Sequence, residues 1–376
     1  MTTTFHWFLP TTGDGRTLVG GGHSVPQGVG RPSGAPGTAA AFREPEIDYL
    51  AQVARAAEQL GYEGLLTPTG TWCEDAWLTT AALIRETERL KFLVAFRPGA
   101  LSPTLAAQMA ATYQRVSRGR LLLNVVTGGE PAEQARFGDQ ISQAERYART
   151  DEFLTVVRGA WEGSFDFDGE YFQVTDARTR EAPDPTPQIY FGGSSRPAGP
   201  VAARHANVYL TWGEPPEQVA EKLDWIRRLA KDQGRELRFG IRLHVLTRDT
   251  SEQAWAEAQA LLDQLDPAEV DKAQEALARS LSVGQQRMRS LHAISRGTRE
   301  ARDLEVSPGL WAGVGLVRGG AGTALVGSNA EVAKRIEEFH ALGIDEFILS
   351  GYPHVEEAYW FAEGVKPLLR RSGVLA

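Results

Sequence analysis

The 376-residue sequence lacks the features that mark several large classes of protein. It contains one cysteine, Cys73, which excludes a disulfide framework within the chain and a structural zinc site built from several cysteines. No run of about 18 apolar residues is present, so no membrane-spanning helix is predicted. The N-terminal MTTTFHWFLP has no basic segment followed by an apolar run. We therefore expect no signal peptide and a cytoplasmic location.

The sequence also has no excess of positive charge. Lysine and arginine number 40 against 48 aspartates and glutamates, which gives a formal net charge of −8. The basic residues are scattered rather than clustered, so neither nucleic acid nor an anionic membrane is expected as a partner. An acidic protein that binds an anionic ligand must concentrate positive charge locally. Arginines near strand ends are therefore candidate ligand-binding residues.

Several short catalytic motifs are missing. The chain has no GxGxxG that opens a helix, no GxxxxGK[ST], no HExxH and no GxSxG. Its seven histidines do not show metal-ligand spacing on one element, so no metal site is predicted. These absences disfavour an NAD dehydrogenase, a kinase, a metallohydrolase and a serine hydrolase.

Short apolar runs alternate with longer segments of helical periodicity. The eight predicted strands are Phe5–Pro10, Gly64–Thr69, Leu90–Arg97, Arg120–Thr127, Gln188–Gly192, Asn207–Trp212, Leu237–Thr247 and Glu346–Tyr352. Almost all are followed by helices, which favours a parallel sheet covered by helices. Eight such units fit a (β/α)8 TIM barrel, an α/β fold, and a doubly wound open sheet is the alternative.

The chain is longer than a minimal barrel requires, so it is either two domains or one barrel with insertions. We expect a single domain over residues 1–376 with insertions near 11–45, 165–174 and 266–327. The second insertion alternates around Asp-Gly, as a hairpin does. The third begins with a helical pattern over Ala268–His292 and ends in the glycine-rich AGVGLVRGGAGTALVG. Long insertions in a compact domain are usually functional lids or disordered segments.

Barrel enzymes place their sites at the C-terminal ends of the strands. Arg242 and His244 lie two apart on the seventh strand and therefore project to the same side, as a basic pair near the mouth. GGSS, residues 192–195, leads from the fifth strand into a helix, where backbone N–H groups and hydroxyls suit a phosphate. Further candidates at strand ends are Cys73, Asn124, Thr127, Trp212 and Tyr352.

Longer segments carry a family resemblance. They are FHWFLPTTGDG (5–15), PTGTWCEDAW (68–77), RLLLNVVTGG (120–129), AERY (144–147), YFGGSS (190–195), VYLTWGEPPE (208–217), RFGIRLHV (238–245), LWAGVGLVRGGAGTALVG (310–327) and LSGYPHVEEAY (349–359). Together they strongly resemble FMNH2-dependent alkanesulfonate monooxygenases of the bacterial luciferase-like superfamily. The resemblance covers nearly the whole chain.

This resemblance implies a barrel with FMN at its C-terminal mouth, in a two-component system. A separate NAD(P)H:FMN reductase supplies FMNH2, O2 is a co-substrate, and an alkanesulfonate becomes an aldehyde and sulfite. The family's active-site residues map onto Cys73, Arg242, His244, Arg318 and Tyr352, with Trp212 nearby. Its flavin contacts map onto Asn124, Thr127, Tyr147, Ser194 and Ser195. The resemblance also implies a homo-oligomer, a dimer or a tetramer.

These implied roles agree with simple chemistry. A sulfonate is a permanent anion, and a guanidinium binds such oxyanions through two parallel hydrogen bonds. Arg242 and Arg318 are therefore candidates for contacts with the sulfonate or with the flavin–oxygen centre. Arg318 lies in the Gly-rich loop, so we expect it to arrive when that loop closes and excludes water. For the proton removed from the carbon next to sulfur, we expect His244 ahead of Arg242, because an arginine base needs a pKa far below 12.

Four other functions stay open. The protein could act on methanesulfonate or another organosulfur compound. It could be a deazaflavin-dependent oxidoreductase on the same barrel, which needs neither O2 nor Cys73. It could bind flavin without turnover, in which case Arg242 and His244 would not both be required. A barrel hydrolase with paired carboxylates is least favoured, because few acidic residues fall at strand ends.

Overall fold

The computed structural model of the protein describes residues 3–18, 42–293 and 297–376. The strands in these ranges are β1 (Thr4–Phe8), β2 (Gly64–Thr67), β3 (Lys91–Phe96), β4 (Leu121–Val125), β5 (Phe165–Asp168), β6 (Gln173–Ala177), β7 (Gln188–Gly192), β8 (Val208–Trp212), β9 (Arg238–Arg248), β10 (Glu305–Ser307), β11 (Leu310–Trp311), β12 (Ala324–Ser328) and β13 (Glu346–Ser350). Residues 19–41, most of the first predicted insertion, lie outside the described residues.

Eight of these strands close into a parallel barrel. β1 pairs with β2 on one side and with β13 on the other. The ring continues from β2 through β3, β4, β7, β8 and β9 and returns to β13, every pair being parallel. All eight predicted strands are confirmed, and so is the (β/α)8 barrel. Each strand is largely buried, as expected of apolar strands covered on both faces.

Helices cover the outside of the barrel. They are α1 (Ile47–Gln59), α2 (Ala76–Leu83), α3 (Pro103–Ser117), α4 (Pro131–Arg136), α5 (Gln143–Glu162), α6 (Ala198–His205), α7 (Pro216–Asp232), α8 (Ser251–Asp263), α9 (Pro267–Ala278), α10 (Val283–Leu291), α11 (Asn329–Ala341), α12 (His354–Gly364) and α13 (Lys366–Arg371). Ser102 caps α3 by accepting from the Leu105 N–H, with Pro103 in the first turn, as its sequence predicts. No helix among the described residues is long and apolar enough to cross a bilayer.

The second insertion forms the predicted hairpin. β5 and β6 pair antiparallel on the outside of the barrel, with Asp168 opposite Gln173. Glu152 of α5 accepts hydrogen bonds from the N–H groups of Glu170, Tyr171 and Phe172, and so holds the turn against the helix. No residue of the hairpin lines the cavity at the barrel mouth that is described below.

The third insertion differs from its predicted form. The helical pattern over Ala268–His292 gives two helices, α9 and α10, because Ser282 starts a new helix by accepting from the Gln285 N–H. The glycine-rich end is ordered as a short 3-10 helix over Gly313–Leu316 followed by β12. β12 pairs in parallel with the end of β9, from Ala324 opposite His244 onward. The insertion is therefore built onto the barrel rim.

A buried carboxylate joins strands at the N-terminal end of the barrel, opposite the mouth. Glu346 accepts hydrogen bonds from the His6 Nε2 at 3.1 Å and the Tyr190 hydroxyl at 2.7 Å, and it forms an ion pair with the Arg238 Nη1 at 2.7 Å. Burial alone would raise the pKa of Glu346, but the contacts with His6, Arg238 and Tyr190 outweigh burial and hold this pKa below its usual value. His6 is therefore a structural residue.

The Glu346 cluster makes the free energy of unfolding depend on pH in the acidic range. Glu346→Gln should lower the free energy of unfolding in urea by about 2–3 kcal/mol at neutral pH, since two hydrogen-bond donors and the paired Arg238 lose a buried negative charge. Because folding depresses the pKa of Glu346, its contribution is present above the unfolded value near 4.3 and is lost as pH falls through the folded value. The difference between wild type and variant should therefore shrink below about pH 4. Glu63→Gln, which removes a half-exposed ion pair with Lys91, should change stability by less than about 1 kcal/mol.

Candidate functional site

A cavity of about 230 Å³ opens at the C-terminal mouth of the barrel. Eight of the eleven predicted site residues line it, namely Asn124, Thr127, Tyr147, Ser194, Ser195, Trp212, Arg242 and Arg318. The other three, Cys73, His244 and Tyr352, do not line the cavity. The barrel therefore gathers residues that are dispersed over nearly 200 positions of sequence into one space.

Two arginines are buried side by side in the cavity wall. Arg242 of β9 and Arg318 of the Gly-rich segment are each only 7% exposed. Their guanidinium carbons lie 4.8 and 5.4 Å from the centre of the same Phe8 ring. Among the described residues no ion pair joins either guanidinium to a carboxylate. The acidic protein thus concentrates two uncompensated positive charges at one point of the cavity, as an anion site requires.

Neutral hydrogen-bond acceptors hold the guanidinium of Arg242 in place. Its Nη2 donates to the Ser350 Oγ at 2.8 Å, and its Nη1 donates to the carbonyl oxygens of Leu243 and Ile348. Burial, followed by the neighbouring charge of Arg318, lowers the pKa of Arg242 to about 9. This guanidinium is still cationic at neutral pH.

His244 has both ring nitrogens engaged. Its Nδ1 lies 2.8 Å from the Ser350 Oγ and its Nε2 lies 3.2 Å from the Ala321 carbonyl oxygen. A carbonyl only accepts, so Nε2 carries the hydrogen and Nδ1 accepts from the Ser350 hydroxyl. Burial, then the charges of Arg242 and Arg318, lowers the pKa of His244 well below its usual value. His244 is therefore neutral, and it has no free lone pair that faces the cavity.

Tyr352 and His354 form a layer behind the arginine pair. The Tyr352 ring stacks on His244 with centroids 5.5 Å apart and planes 15° apart, and its buried hydroxyl has no partner among the described residues. The His354 ring meets Tyr352 edge-on at 5.4 Å, and its Nδ1 lies 2.9 Å from Asp14 Oδ1. Asp14 also accepts from the His354 backbone N–H. The pair of Asp14 and His354 was not predicted from the sequence. The first and last strands of a closed barrel are neighbours, so the segments that follow them, FLPTTGDG and YPH, could have been expected to meet.

Cys73 is a protonated thiol. Its Sγ lies 3.7 Å from the Pro68 carbonyl oxygen and 3.6 Å from the Gly70 carbonyl oxygen. Burial raises the pKa of Cys73 to about 12, and a contact with Thr11 offsets only part of this rise. The thiolate is the nucleophilic form, so Cys73 is not an activated nucleophile in this arrangement. Its neighbour Trp72 lines the cavity in its place.

The other end of the cavity has a rigid turn before α6. Gly193 adopts φ +156°, and a Cβ there would lie 2.6 Å from the Cβ of Ala198, so only glycine fits. The Tyr209 hydroxyl donates to the Gly193 carbonyl at 2.6 Å and fixes the turn. The hydroxyls of Tyr147 and Ser195 face each other, but the buried Ser195 Oγ makes no well-aligned hydrogen bond. A buried hydroxyl without a protein partner beside a helix N-terminus suits the oxygen of an anionic ligand.

Several lining residues were not among the site residues predicted from the sequence. Ser282, Val283, Gly284 and Gln285 at the start of α10 line the cavity, as does Lys222 of α7. Lys222 is already paired, since its Nζ lies 2.6 Å from Glu214 Oε1 and 2.9 Å from Thr211 Oγ1. The fully buried Glu214 also accepts from the Arg287 Nε at 2.8 Å, which ties α10 to the end of β8. Lys222 therefore adds little free charge to the cavity.

The described residues contain no group of three or more His, Cys, Asp or Glu side chains that could hold a metal ion. The polar groups that converge on the cavity are instead guanidiniums, hydroxyls, amides and backbone N–H groups. Such groups bind an organic anion or a phosphate rather than a cation.

The chain matches known proteins in sequence and in fold. The family model described as luciferase-like monooxygenase matches residues 3–346. Solved structures with the same fold include riboflavin lyase RcaE (20% identity, TM-score 0.79), long-chain alkane monooxygenase LadA (19%, 0.77) and DmoA from Hyphomicrobium sulfonivorans (20%, 0.76). Each alignment covers 100% of this chain and 93%, 93% and 89% of the other chain, respectively. These identities show a shared fold alone, whereas the family model spans most of the chain. The predicted superfamily is confirmed: the chain belongs to the luciferase-like monooxygenase family.

Proposed function

We propose that this protein is the oxygenase of a two-component system that uses FMNH2 and O2 to convert alkanesulfonates into aldehydes and sulfite. The observation that carries the proposal is the pair of buried guanidiniums, Arg242 and Arg318, which face one cavity without a carboxylate partner among the described residues. A sulfonate is anionic at every physiological pH and has three oxygens in reach of two planar donor groups. Its binding would relieve the repulsion between the two arginines.

The opposite end of the cavity fits FMN. Asn124, Thr127, Tyr147, Ser194 and Ser195 would hold the cofactor there. The unpartnered Ser195 hydroxyl and the Gly193 turn at the start of α6 suit its phosphate. When bound, the reduced flavin supplies the two electrons that activate O2. A separate NAD(P)H:FMN reductase would deliver it, and we expect the protein to act as a homo-oligomer.

Part of the cavity wall is apolar. Phe8, Leu66, Trp72, Leu210 and Ile348 line it and would contact the alkyl chain of the substrate. The reaction balances as RCH2SO3⁻ + FMNH2 + O2 → RCHO + HSO3⁻ + FMN + H2O. One oxygen atom enters the aldehyde and the other leaves as water, while the C–S bond breaks and a proton leaves the reacting carbon. The apolar wall excludes bulk water from this carbon.

We assign removal of the proton from the reacting carbon to the neutral form of Arg242 rather than to His244, with Arg318 as the cation that holds the sulfonate in that step. Arg242 lines the cavity and has a pKa lowered to about 9, whereas both nitrogens of His244 are hydrogen-bonded away from it. His244 then acts through Ser350, whose hydroxyl donates to the histidine and accepts from Arg242. Tyr352, whose hydroxyl has no partner among the described residues, is a further donor behind the arginines.

The reaction class can be tested directly by sulfite release. The purified protein, supplied with FMN, NADH, a flavin reductase and O2, should release sulfite from a series that runs from methanesulfonate to decanesulfonate. Sulfite should appear only when both O2 and the protein are present, and the substrate with the highest kcat/KM defines the preferred chain length. Absence of sulfite from every sulfonate despite FMNH2 binding would exclude desulfonation and favour another organosulfur substrate. Substrate turnover that continues without O2 would indicate a deazaflavin-dependent enzyme.

The arginine pair gives a second test. Arg242→Met and Arg318→Met should each lower kcat/KM for the preferred sulfonate by about 100-fold, the loss expected for charge-assisted hydrogen bonds to an anion. The lysine variants should recover part of this loss, because they restore the charge but not the planar fork. Arg136→Lys, at an exposed position whose guanidinium contacts Thr71, is the control and should leave kcat/KM unchanged. Full activity of both methionine variants would contradict the anion site.

The pH dependence of substrate binding follows from Arg242. Its pKa of about 9 means that the positive charge is present at neutral pH and is lost as pH rises through that value. The Kd for the sulfonate should therefore be constant from pH 7 to about 8.5 and should rise steeply above about pH 9, because the anion loses one of its two cations. Arg242→Lys should shift this rise, whereas Arg136→Lys should not. A Kd that stays flat to pH 10.5 in the wild type would show that Arg242 keeps its charge.

A further inference from the structure

Two buried glutamines hold the backbone on both sides of Arg318. We call residues 313–323, GVGLVRGGAGT, the Arg318 loop. Gln274 of α9 donates through its Nε2 to the carbonyl oxygens of Gly315 at 2.8 Å and Leu316 at 2.9 Å. Gln285 of α10 accepts through its Oε1 from the Gly320 N–H at 2.9 Å. Both glutamines are 2% exposed.

The Arg318 loop needs such external support. Five of its eleven residues are glycine, so the isolated segment would have little preference for one backbone conformation. Its base is closed by the Gly315 N–H, which donates to the Gly322 carbonyl at 2.8 Å. The His244 Nε2 contacts the Ala321 carbonyl further along the loop. The loop is also held by Thr323, whose Oγ1 donates to the Gly213 carbonyl at 2.6 Å, and by the buried side chains of Leu316 and Val317. The two glutamines add side-chain hydrogen bonds to the loop backbone on either side of Arg318.

The electrostatics make this support more important. Arg318 and Arg242 lie over the same Phe8 ring, and two like charges in a partly desolvated space repel each other. A loop without fixed points would relax and carry Arg318 toward solvent. The hydrogen bonds from Gln274 and Gln285 oppose this movement, and α10 is itself tied to the barrel through Arg287 and Glu214.

We propose that Gln274 and Gln285 are positioning residues that preset Arg318 beside Arg242 before the anionic substrate binds. The inference rests on the proposed function in one respect, namely that the arginine pair binds the sulfonate. It replaces the expectation that Arg318 arrives only on loop closure, since the structure has Arg318 buried in the cavity wall with both glutamine contacts made. Gln274 does not line the cavity and acts through the loop backbone alone, whereas Gln285 holds the loop backbone and also lines the cavity.

The test replaces the donating amide of Gln274 with an acceptor of the same shape. Gln274→Glu places a carboxylate against two carbonyl oxygens and should free the loop, while Glu275→Gln is the matched control one residue away on an exposed face of α9. Butanesulfonate titrated into the protein, with and without FMN, should bind about tenfold more weakly to Gln274→Glu, and KM should rise more than kcat falls. Gln285→Met should act in the same direction. Hydrogen exchange of residues 313–323 should become faster in both variants and not in the control.

A double-mutant cycle shows whether the effect runs through Arg318. In an Arg318→Ala background, Gln274→Glu should produce no further loss of butanesulfonate affinity, because the residue that it positions is absent. Equal losses in both backgrounds, or unchanged exchange of the Arg318 loop in Gln274→Glu, would overturn the proposal. If the wild type binds no butanesulfonate, or if Arg318→Ala binds it normally, the proposed anion site is wrong. The proposal that the glutamines position Arg318 for the substrate is then wrong as well. Hydrogen exchange would still report separately whether the glutamines hold the loop.

Discussion

Two positive charges buried against one aromatic ring are the constraint on which this site depends. Removing Arg242 and Arg318 from water and bringing them together is unfavourable, and among the described residues no carboxylate compensates either of them. The protein offsets part of this free energy with neutral acceptors around Arg242 and with the face of Phe8, whose π electrons attract both cations. The repulsion that remains between the two arginines would be relieved by a bound anion. A site of this kind favours a small, permanently charged ligand over a neutral one of the same shape.

The groups around the two arginines form one connected network. Ser350 accepts from Arg242 and donates to His244, and His244 in turn donates to the Ala321 carbonyl in the Arg318 loop. One histidine therefore joins the strand that carries the first arginine to the loop that carries the second. His244 was expected to exchange a proton with the substrate, and its spacing from Arg242 does place the two side by side. Its hydrogen bonds instead suit a residue that holds the two arginines in fixed positions relative to each other.

The insertion over residues 266–327 completes the cavity and does not merely cover it. Gln274 and Gln285 hold the backbone beside Arg318, and Arg287 connects α10 to Glu214 at the end of β8. The barrel by itself would present one arginine and an open mouth. The barrel thus supplies the proposed flavin end of the cavity, whereas the insertion supplies half of the proposed anion site.

The sequence by itself determined the order of strands and helices, because apolar runs and helical patterns are local signals that each strand and helix carries independently. Only the structure showed that the eight strands close into a barrel rather than form an open sheet. The sequence also determined that Arg242 and His244 share a face and that GGSS begins a helix, since these follow from spacing along one element. Only the tertiary structure decided the partners of those residues. Asp14 with His354, Glu214 with Arg287 and Gln285 with Gly320 are separated by 340, 73 and 35 positions, respectively. No local periodicity encodes such contacts, because they exist only once the barrel closes and the insertion packs on its rim, and they decide which polar atoms remain free for a ligand.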